Sequence, residues 1–403
     1  MARRAYDLIL YGATGFVGRQ TVAYIAARAG AGEKALRWAI AGRNRDKLEQ
    51  VRRAAGAAAA AADIVVAGAD EPRALNALAR STSVVLSTAG PFDLYGSQLV
   101  AACVSQRSHY VDITGETPWV SRLVKQHHAR AAADGTRIIP CCGFDSVPSD
   151  LGAWLLVQAM HKRHAAECVA VKASFSIRGG LNGGTLASAL NMLGSGQGKA
   201  MADVFLLNPQ GERVRDPTLH ADPLLPHFDT DFKAWLGPFV MGPVNTRVVR
   251  RSAALLSYPE AFHYQEYLRV GTGPVAAIAA ASLSAGMFAS SQAMRFGLLR
   301  SLAARVAPKP GEGPSVSRMD GGAFHCELLG RSGNGHVLRG RISDHGDPGN
   351  RGTTKMVCEA ALALLFGGRR LPPGGGVLTP ASGLGQVLVD RLRAAGMVLE
   401  VDP

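Results

Sequence analysis

The sequence predicts an α/β protein: a Rossmann-type doubly wound parallel sheet, an inserted α/β domain, and a C-terminal return to the first domain. Three observations carry this expectation. A strand, a glycine turn and a helix follow one another from Tyr6 to Gly18; apolar runs then alternate with helix-compatible stretches as far as Pro140; and a proline-marked turn at 141–150 leads into strand-rich sequence of another rhythm. The expected boundaries are 1–147 for the first domain, 148–349 for the inserted one and 350–403 for the return segment.

In YDLILYGATGFVG (6–18), Leu8, Ile9 and Leu10 form the strand and Val17 onward the helix, to about Ala29. Such a layout points a helix N-terminus, with free N–H groups and a positive dipole end, at a pyrophosphate. Gly12 makes the tight turn, Gly15 lets the backbone approach phosphate, and Gly18 lets the helix lie close to the strand. Gly12, Ala13, Thr14, Gly15, Phe16 and Val17 are thus expected around a dinucleotide, on a G-x-x-G-x-x-G spacing.

A second strand, Arg37–Ala41, ends at Gly42-Arg43-Asn44. A reader of the NAD ribose places Asp or Glu there, whereas a 2′-phosphate calls for a base. Arg43 offers a guanidinium, Asn44 a hydrogen bond and Lys47 further charge, so the expected cofactor is NADP. Asp46–Ala62 reads as a helix trailing into alanines. A strand at 64–67 leads to Asp70, near the adenine edge, and Pro72–Arg80 is a helix. Ser83–Thr88 is the fourth strand, ending in Ala89, Gly90, Pro91 and Phe92, with Tyr95 just beyond. Ser97–Gln106 is a helix. His109–Ile113 is the fifth strand, ending at Thr114 and Gly115, then Trp119–Asp134 a helix and Arg137–Pro140 a strand. Ligands sit at strand C-termini in such sheets, so these ends converge on the nicotinamide half of the cofactor.

Pro148 opens a helix to about Met160. Val169–Ile177 reads as a strand, 179–184 as a loop, and Thr185 as the cap of a helix through about Asp203. Residues 205–245, rich in Pro, Asp and His, read as an excursion or lid. The stretch 273–288 is almost uncharged, and Arg295, Arg300 and Arg305 follow along an apolar face, which predicts either core packing or contact with a lipid surface. Phe324–Gly330 and Val337–Ser343 are neighbouring strands, Thr353–Phe366 and Ser382–Ala395 helices, and a strand closes the chain.

Over 403 residues, 44 basic against 31 acidic side chains give a net charge of +13. The basic residues are scattered and not interleaved with aromatics, which argues against nucleic acid. Six cysteines without C-x-x-C spacing, and a start that runs directly into a core strand, predict reduced thiols and a cytoplasmic protein. No metal-ligand spacing is visible. His127 and His128 read as solvent-facing, and the Cys141-Cys142 pair as packing.

LYGATGFVG (10–18), AGRN (41–44), STAGPFDLYG (87–96), YVDITGE (110–116), CGFDSVPSD (142–150), PGEGPS (310–315) and GGVLTPASGLG (375–385) together resemble the saccharopine dehydrogenase-like oxidoreductases, especially their trans-acting enoyl reductase branch. The resemblance implies an NADP-binding Rossmann domain interrupted by a substrate domain whose sheet covers the cleft. In that branch it implies reduction of a carbon–carbon double bond on a polyketide or fatty acyl chain, small or carrier-bound, in trans to a synthase. The resemblance leads one to expect an aromatic near position 350, where this chain reads Asn-Arg-Gly-Thr-Thr-Lys.

Enoyl reduction needs a proton donor beside the hydride. Tyr95 is the first candidate because a phenol polarises or donates without charge; Asp145 and Ser146 follow, though Asp145 also suits a cap for the helix at Pro148. Two other readings stay open. One is a C=N or C=O reductase on an amino-acid-like substrate, for which Arg178 and Arg247 are candidate carboxylate ligands. The other is a non-catalytic, membrane-associated NADP-binding protein. The sequence leaves room for a homodimer and for peripheral membrane association through 273–305.

Overall fold

A computed structural model describes residues 4–30, 36–180, 198–209, 217–293, 296 and 311–403. Arg295, Arg300 and Arg305, the loop beyond Gly180, and the expected cap at Thr185 lie outside the described residues. The first sheet contains β1 (Tyr6–Tyr11), β2 (Trp38–Gly42), β3 (Asp63–Val66), β4 (Thr82–Ser87), β5 (His109–Asp112) and β6 (Arg137–Ile139), with a short late strand, β13 (Gly376–Val377), on its edge. The order is β13-β6-β5-β4-β1-β2-β3 and every pairing is parallel. Leu8, Ile9 and Leu10 are fully buried on both faces of β1, as expected where crossover helices cover both sides of a parallel sheet. Those helices are α1 (Phe16–Gly30), α2 (Arg45–Ala54), α3 (Pro72–Ser81), the single turn α4 (Phe92–Tyr95), α5 (Ser97–Gln106) and α6 (Thr117–Asp134). The alanine-rich end of the expected second helix departs: Gly56, at φ +82, breaks it and a 3₁₀ turn, Ala57–Ala59, follows.

α7 (Val147–His164) leads to a second, mixed sheet: β7 (Cys168–Arg178), β8 (His227–Asp229), β9 (Ala234–Pro238), β10 (His263–Gly271), β11 (Ala323–Ser332), β12 (Val337–His345) and β14 (Val398–Val401), in the order β14-β12-β11-β7-β10-β9-β8. Between them come the short α8 (Gly198–Met201), then α9 (Gly242–Leu255), α10 (Gly273–Ala293) and the short α11 (Val316–Asp320). Residues 227–238, read from sequence as part of an excursion, are edge strands, β9 pairing with β10. α7 lies on β7, β11 and β12, and Gly152 is what admits it so closely: a Cβ there would stand 2.6 Å from Leu328 Cδ2.

The segment 350–403 divides between the two sheets, where sequence alone points to the first. α12 (Thr353–Phe366) covers β4 and β5 and packs on α1; β13 extends the first sheet; α13 (Pro380–Ala394) packs on α7 and α12; and β14 pairs antiparallel with β12 of the second sheet. One apolar core consequently runs from Leu8 and Leu86 through Met356 and Leu151 to Leu328 and Ile342. His128 is not solvent-facing: its Nδ1 accepts from Val377 N at 3.2 Å, tying α6 to β13.

Candidate functional site

The C-terminal ends of the first sheet's strands converge, and the phosphate turn lies at their centre. Gly12 has φ +84, and a Cβ on it would stand 2.8 Å from Ala89 N, so the β1 and β4 ends touch only because position 12 has no side chain. A Cβ on Gly18 would fall 2.9 Å from the carbonyl carbon of Ala13, so α1 sits against the turn through that glycine. A Cβ on Gly15 would meet nothing nearer than Gly12 O at 3.4 Å, leaving this part of the turn open to a ligand. Arg19, in the first turn of α1, donates to Thr14 O (2.9 Å) and Gly311 O (2.8 Å), and a Cβ on Gly313 would strike the Phe16 ring at 2.5 Å; the 311–313 loop thus lies over the turn. This open cradle at a helix N-terminus fits a dinucleotide pyrophosphate.

Beyond β2, Arg43 and Lys47 are exposed, and Asp70 is exposed beyond β3. Arg43 and Asp70 both act on the Tyr11 hydroxyl, which burial, Glu71 and Asp70 push up to about 12 against the opposing pull of Arg43. Asn44 has a structural duty: its Oδ1 accepts from Lys47 N at 2.9 Å and caps α2.

The β4 and β5 ends are pinned together by Glu116, a buried carboxylate accepting from Phe92 N (2.8 Å) and Asp93 N (2.9 Å) at the start of α4. That fixes the Ala89–Phe92 turn. Gly96 lets Trp119 pass, since a Cβ would stand 2.6 Å from its ring. Tyr95, at the end of α4, is 41% exposed. Thr114, 1% exposed, spends its hydroxyl on the turn, Oγ1 accepting from Glu116 N at 3.0 Å. Asp112 pins the next ends, its Oδ1 accepting from Thr114 N (3.0 Å) and Cys141 N (3.1 Å). Burial raises the Cys141 and Cys142 thiols well above the ordinary range, so neither is a thiolate.

Asp145 differs from the other acids here. It is half-buried, and its carboxylate has no hydrogen bond or ion pair among the described residues. Its Oδ2 lies 3.5 Å from the Cβ position of Gly115, where Met241 Cε and Val244 Cγ2 both approach to 3.9 Å. Burial alone pushes the carboxyl up to about 6. It does not cap α7: the N-cap position is Ser146, and no side-chain cap bond is made there. Ser146 is buried, its Oγ 3.4 Å from Asn245 Oδ1.

Next to Asp145, Phe144 joins a buried aromatic cluster of the core. Phe144 packs edge-on to Phe175 (6.2 Å between centroids) and against Phe324 (4.9 Å), and Phe239 stacks on Phe175 (4.7 Å). Ile177, which shares the Phe175 face by the alternation of β7, is 43% exposed, and Val240 is 65% exposed. Arg178 falls on the opposite face of the strand. Arg247, a candidate carboxylate ligand from sequence, is 1% exposed, ion-paired to Asp222 and bonded to Met201 O at 2.7 Å; it ties those two residues to α9 and is not free for substrate. Asn350 is buried, its Nδ2 donating to Asp347 Oδ1 (2.9 Å) and Gly180 O (3.2 Å). Thr353 Oγ1 then accepts from Phe144 N at 3.1 Å. Sequence reasoning missed α9, β10 and with them Asn245, Glu266, Met241 and Val244.

A parallel Rossmann sheet with an open phosphate turn, a basic residue after β2 and an unpaired carboxyl beside the nicotinamide-side strand ends defines a dinucleotide-dependent oxidoreductase. Residues 8–139 match the saccharopine dehydrogenase NADP-binding domain. The chain is 38% identical, over 98% of its length and 97% of the relative's, to a Mycobacterium tuberculosis protein provisionally named a trans-acting enoyl reductase. It is 35% identical, over 98% of both chains, to the trans-acting enoyl reductase of Mycobacterium leprae. Apo saccharopine dehydrogenase (L-Glu forming) of Saccharomyces cerevisiae shares the fold, with a TM-score of 0.54 at 13% identity over 98% of this chain and 99% of that one. The chain belongs to the saccharopine dehydrogenase-like oxidoreductases, in their trans-acting enoyl reductase branch, and it is an NADP-dependent oxidoreductase.

Proposed function

We propose that this protein reduces the carbon–carbon double bond of an α,β-unsaturated acyl chain, presented as a carrier thioester in trans. The observation that carries the reading is one acid without a bond among the described residues, Asp145, set against the apolar Met241 and Val244 side chains with Val240 exposed next to them; Phe144, Phe175, Phe239 and Phe324 are buried core. A polyketide or fatty acyl chain suits the apolar Val240, Met241 and Val244 surroundings of that acid. Of the two arginines the sequence offers for a substrate carboxylate, Arg247 is occupied by Asp222 and Arg178 is turned to the other face of β7.

When bound, NADPH supplies a hydride to the β-carbon. Gly12, Ala13, Thr14, Gly15, Phe16 and Val17 hold its pyrophosphate, and Arg43 and Lys47 its 2′-phosphate. Ala89, Gly90, Pro91, Phe92, Thr114 and Gly115 form the floor beneath the nicotinamide. Asp145, kept protonated up to about 6 by its apolar surroundings, donates the proton at the α-carbon. Tyr95 closes the rim, and Ser146 orients the turn. NADPH consumption with an enoyl thioester, a ketone and an imine of matched chain length tests the reading. It fails if the ketone or imine is the better substrate.

α10 rests on a lipid surface. α10 carries no charged residue over Gly273–Ala293; its window Gly273–Ser290 is only 17% buried, and Val275, Ile278 and Phe288 are each more than two-thirds exposed, at 80%, 69% and 68%. Its inner side packs on the second sheet, where a Cβ on Gly237 would stand 3.1 Å from Leu283 Cδ2. Co-sedimentation with anionic vesicles, against an Ile278→Glu/Phe288→Glu variant, tests this element separately.

A further inference from the structure

Glu266 lies in β10, 1% exposed, on the face toward α7 and α9. A carboxylate in such a place is costly unless every lone pair is used. Here both oxygens are. Oε1 accepts from Asn245 Nδ2 at 2.7 Å, while Oε2 accepts from Ser149 Oγ at 2.6 Å and from Tyr264 OH at 2.8 Å. Asn245 belongs to the first turn of α9 and Ser149 to the first turn of α7, and both helices begin at the cleft. Because the Asn245 amide donates to Glu266, its Oδ1 must face away, and it faces the Ser146 hydroxyl at 3.4 Å. Ser146 directly follows Asp145, while Met241, one turn before Asn245, and its neighbour Val244 form the wall over Gly115.

We propose that Glu266 is a positioning residue: through Asn245 and Ser146 it sets the Asp145 turn and the Met241–Val244 wall against each other. A leucine in its place fills the same space. What the carboxylate adds is direction, an acceptor at each end that fixes which way the Asn245 amide points. The inference rests on the cleft assignment above, although not on which group donates the proton.

The test reverses the polarity of that bond. Asn245→Leu removes the link at similar volume, and Asn245→Asp sets two carboxylates face to face. Asn245→Asp combined with Glu266→Gln keeps one negative charge, lets the new amide donate to the new carboxylate, and leaves an acceptor facing Ser146. With the enoyl thioester, both single variants should lose about tenfold or more in kcat, the scale of a small misplacement of a catalytic group. KM and the NADPH Kd should stay within about twofold. The exchanged pair should recover most of the lost rate, which a role in bulk stability does not predict. Wild-type kcat in Asn245→Leu overturns the proposal, as does an exchanged pair no faster than Asn245→Asp. If Asn245→Asp does not fold, the exchanged pair against Asn245→Leu decides in the same way. Asp145→Asn separates this inference from the proton assignment: full activity there, beside a slow Asn245→Leu, removes Asp145 as the acid and leaves Glu266 in its role.

Discussion

Asp145→Asn should make the protein more stable and much less active. The carboxyl has no partner among the described residues, and burial moves it from an ordinary 3.8 to about 6. Its charged form is therefore disfavoured in the folded state. The folded chain holds a proton between those two pH values that the unfolded chain has released. Wild-type stability consequently falls, relative to the variant, as pH rises through that window, and the difference is constant above about 6. At about 1.36 kcal/mol per tenfold in proton affinity the full penalty is about 3 kcal/mol, and partial exposure brings it nearer 2. Urea unfolding of both proteins at pH 4, 5, 6 and 7.5 reads it out, with a gain near zero at the acid end that grows to its plateau by pH 7. Over the same range kcat on an enoyl thioester should drop by about 10²-fold in the variant, and the wild-type decline in kcat above about pH 6 should vanish. A variant that is less stable, or a gain that does not change with pH, refutes the argument that Asp145 is an unpaired buried acid.

Gly18→Ala should lower both stability, by about 1–3 kcal/mol, and NADPH affinity, because the new methyl drives α1 off the phosphate turn; Gly15→Ala, where 3.4 Å is free, should keep its thermal midpoint and lose NADPH affinity alone. Arg43→Asp should weaken NADPH by about 2–3 kcal/mol while sparing NADH, which parallel titrations measure. Tyr95→Phe should alter kcat far less than Asp145→Asn, given its place on the exposed rim; the reverse order in steady-state assays transfers the proton to Tyr95.

The parts of the molecule that obey a single local rule were legible in sequence. The strand–turn–helix at Gly12–Gly18, the basic residue after β2 and the six parallel strand positions follow from glycine geometry and apolar runs. The hairpin of β11 and β12 around Ser332–Gly335 followed in the same way. Elements whose pattern is set by distant partners were not legible. α9 carries Arg247, Arg250 and Arg251, all buried, which spoils its apolar stripe; each guanidinium is spent on backbone carbonyls, of Met201, Val204, His220, Leu207 and Val377. β10 carries Glu266 at a core position for the same reason. In the site, Asp145 was visible as a candidate, whereas its lack of a capping bond depends on how α7 leaves the sheet, and its apolar wall on β9 and α9.

The central claim is hydride delivery to the β-carbon of an enoyl chain, and isotope placement tests it most directly. The enzyme would be supplied with each of the two epimers of 4-deuterated NADPH and an α,β-unsaturated acyl pantetheine thioester in water. The product should carry one deuterium from one epimer only, located at the β-carbon, with the α-carbon proton drawn from solvent. Deuterium on a carbonyl carbon, or no deuterium in the product from either epimer, contradicts the account.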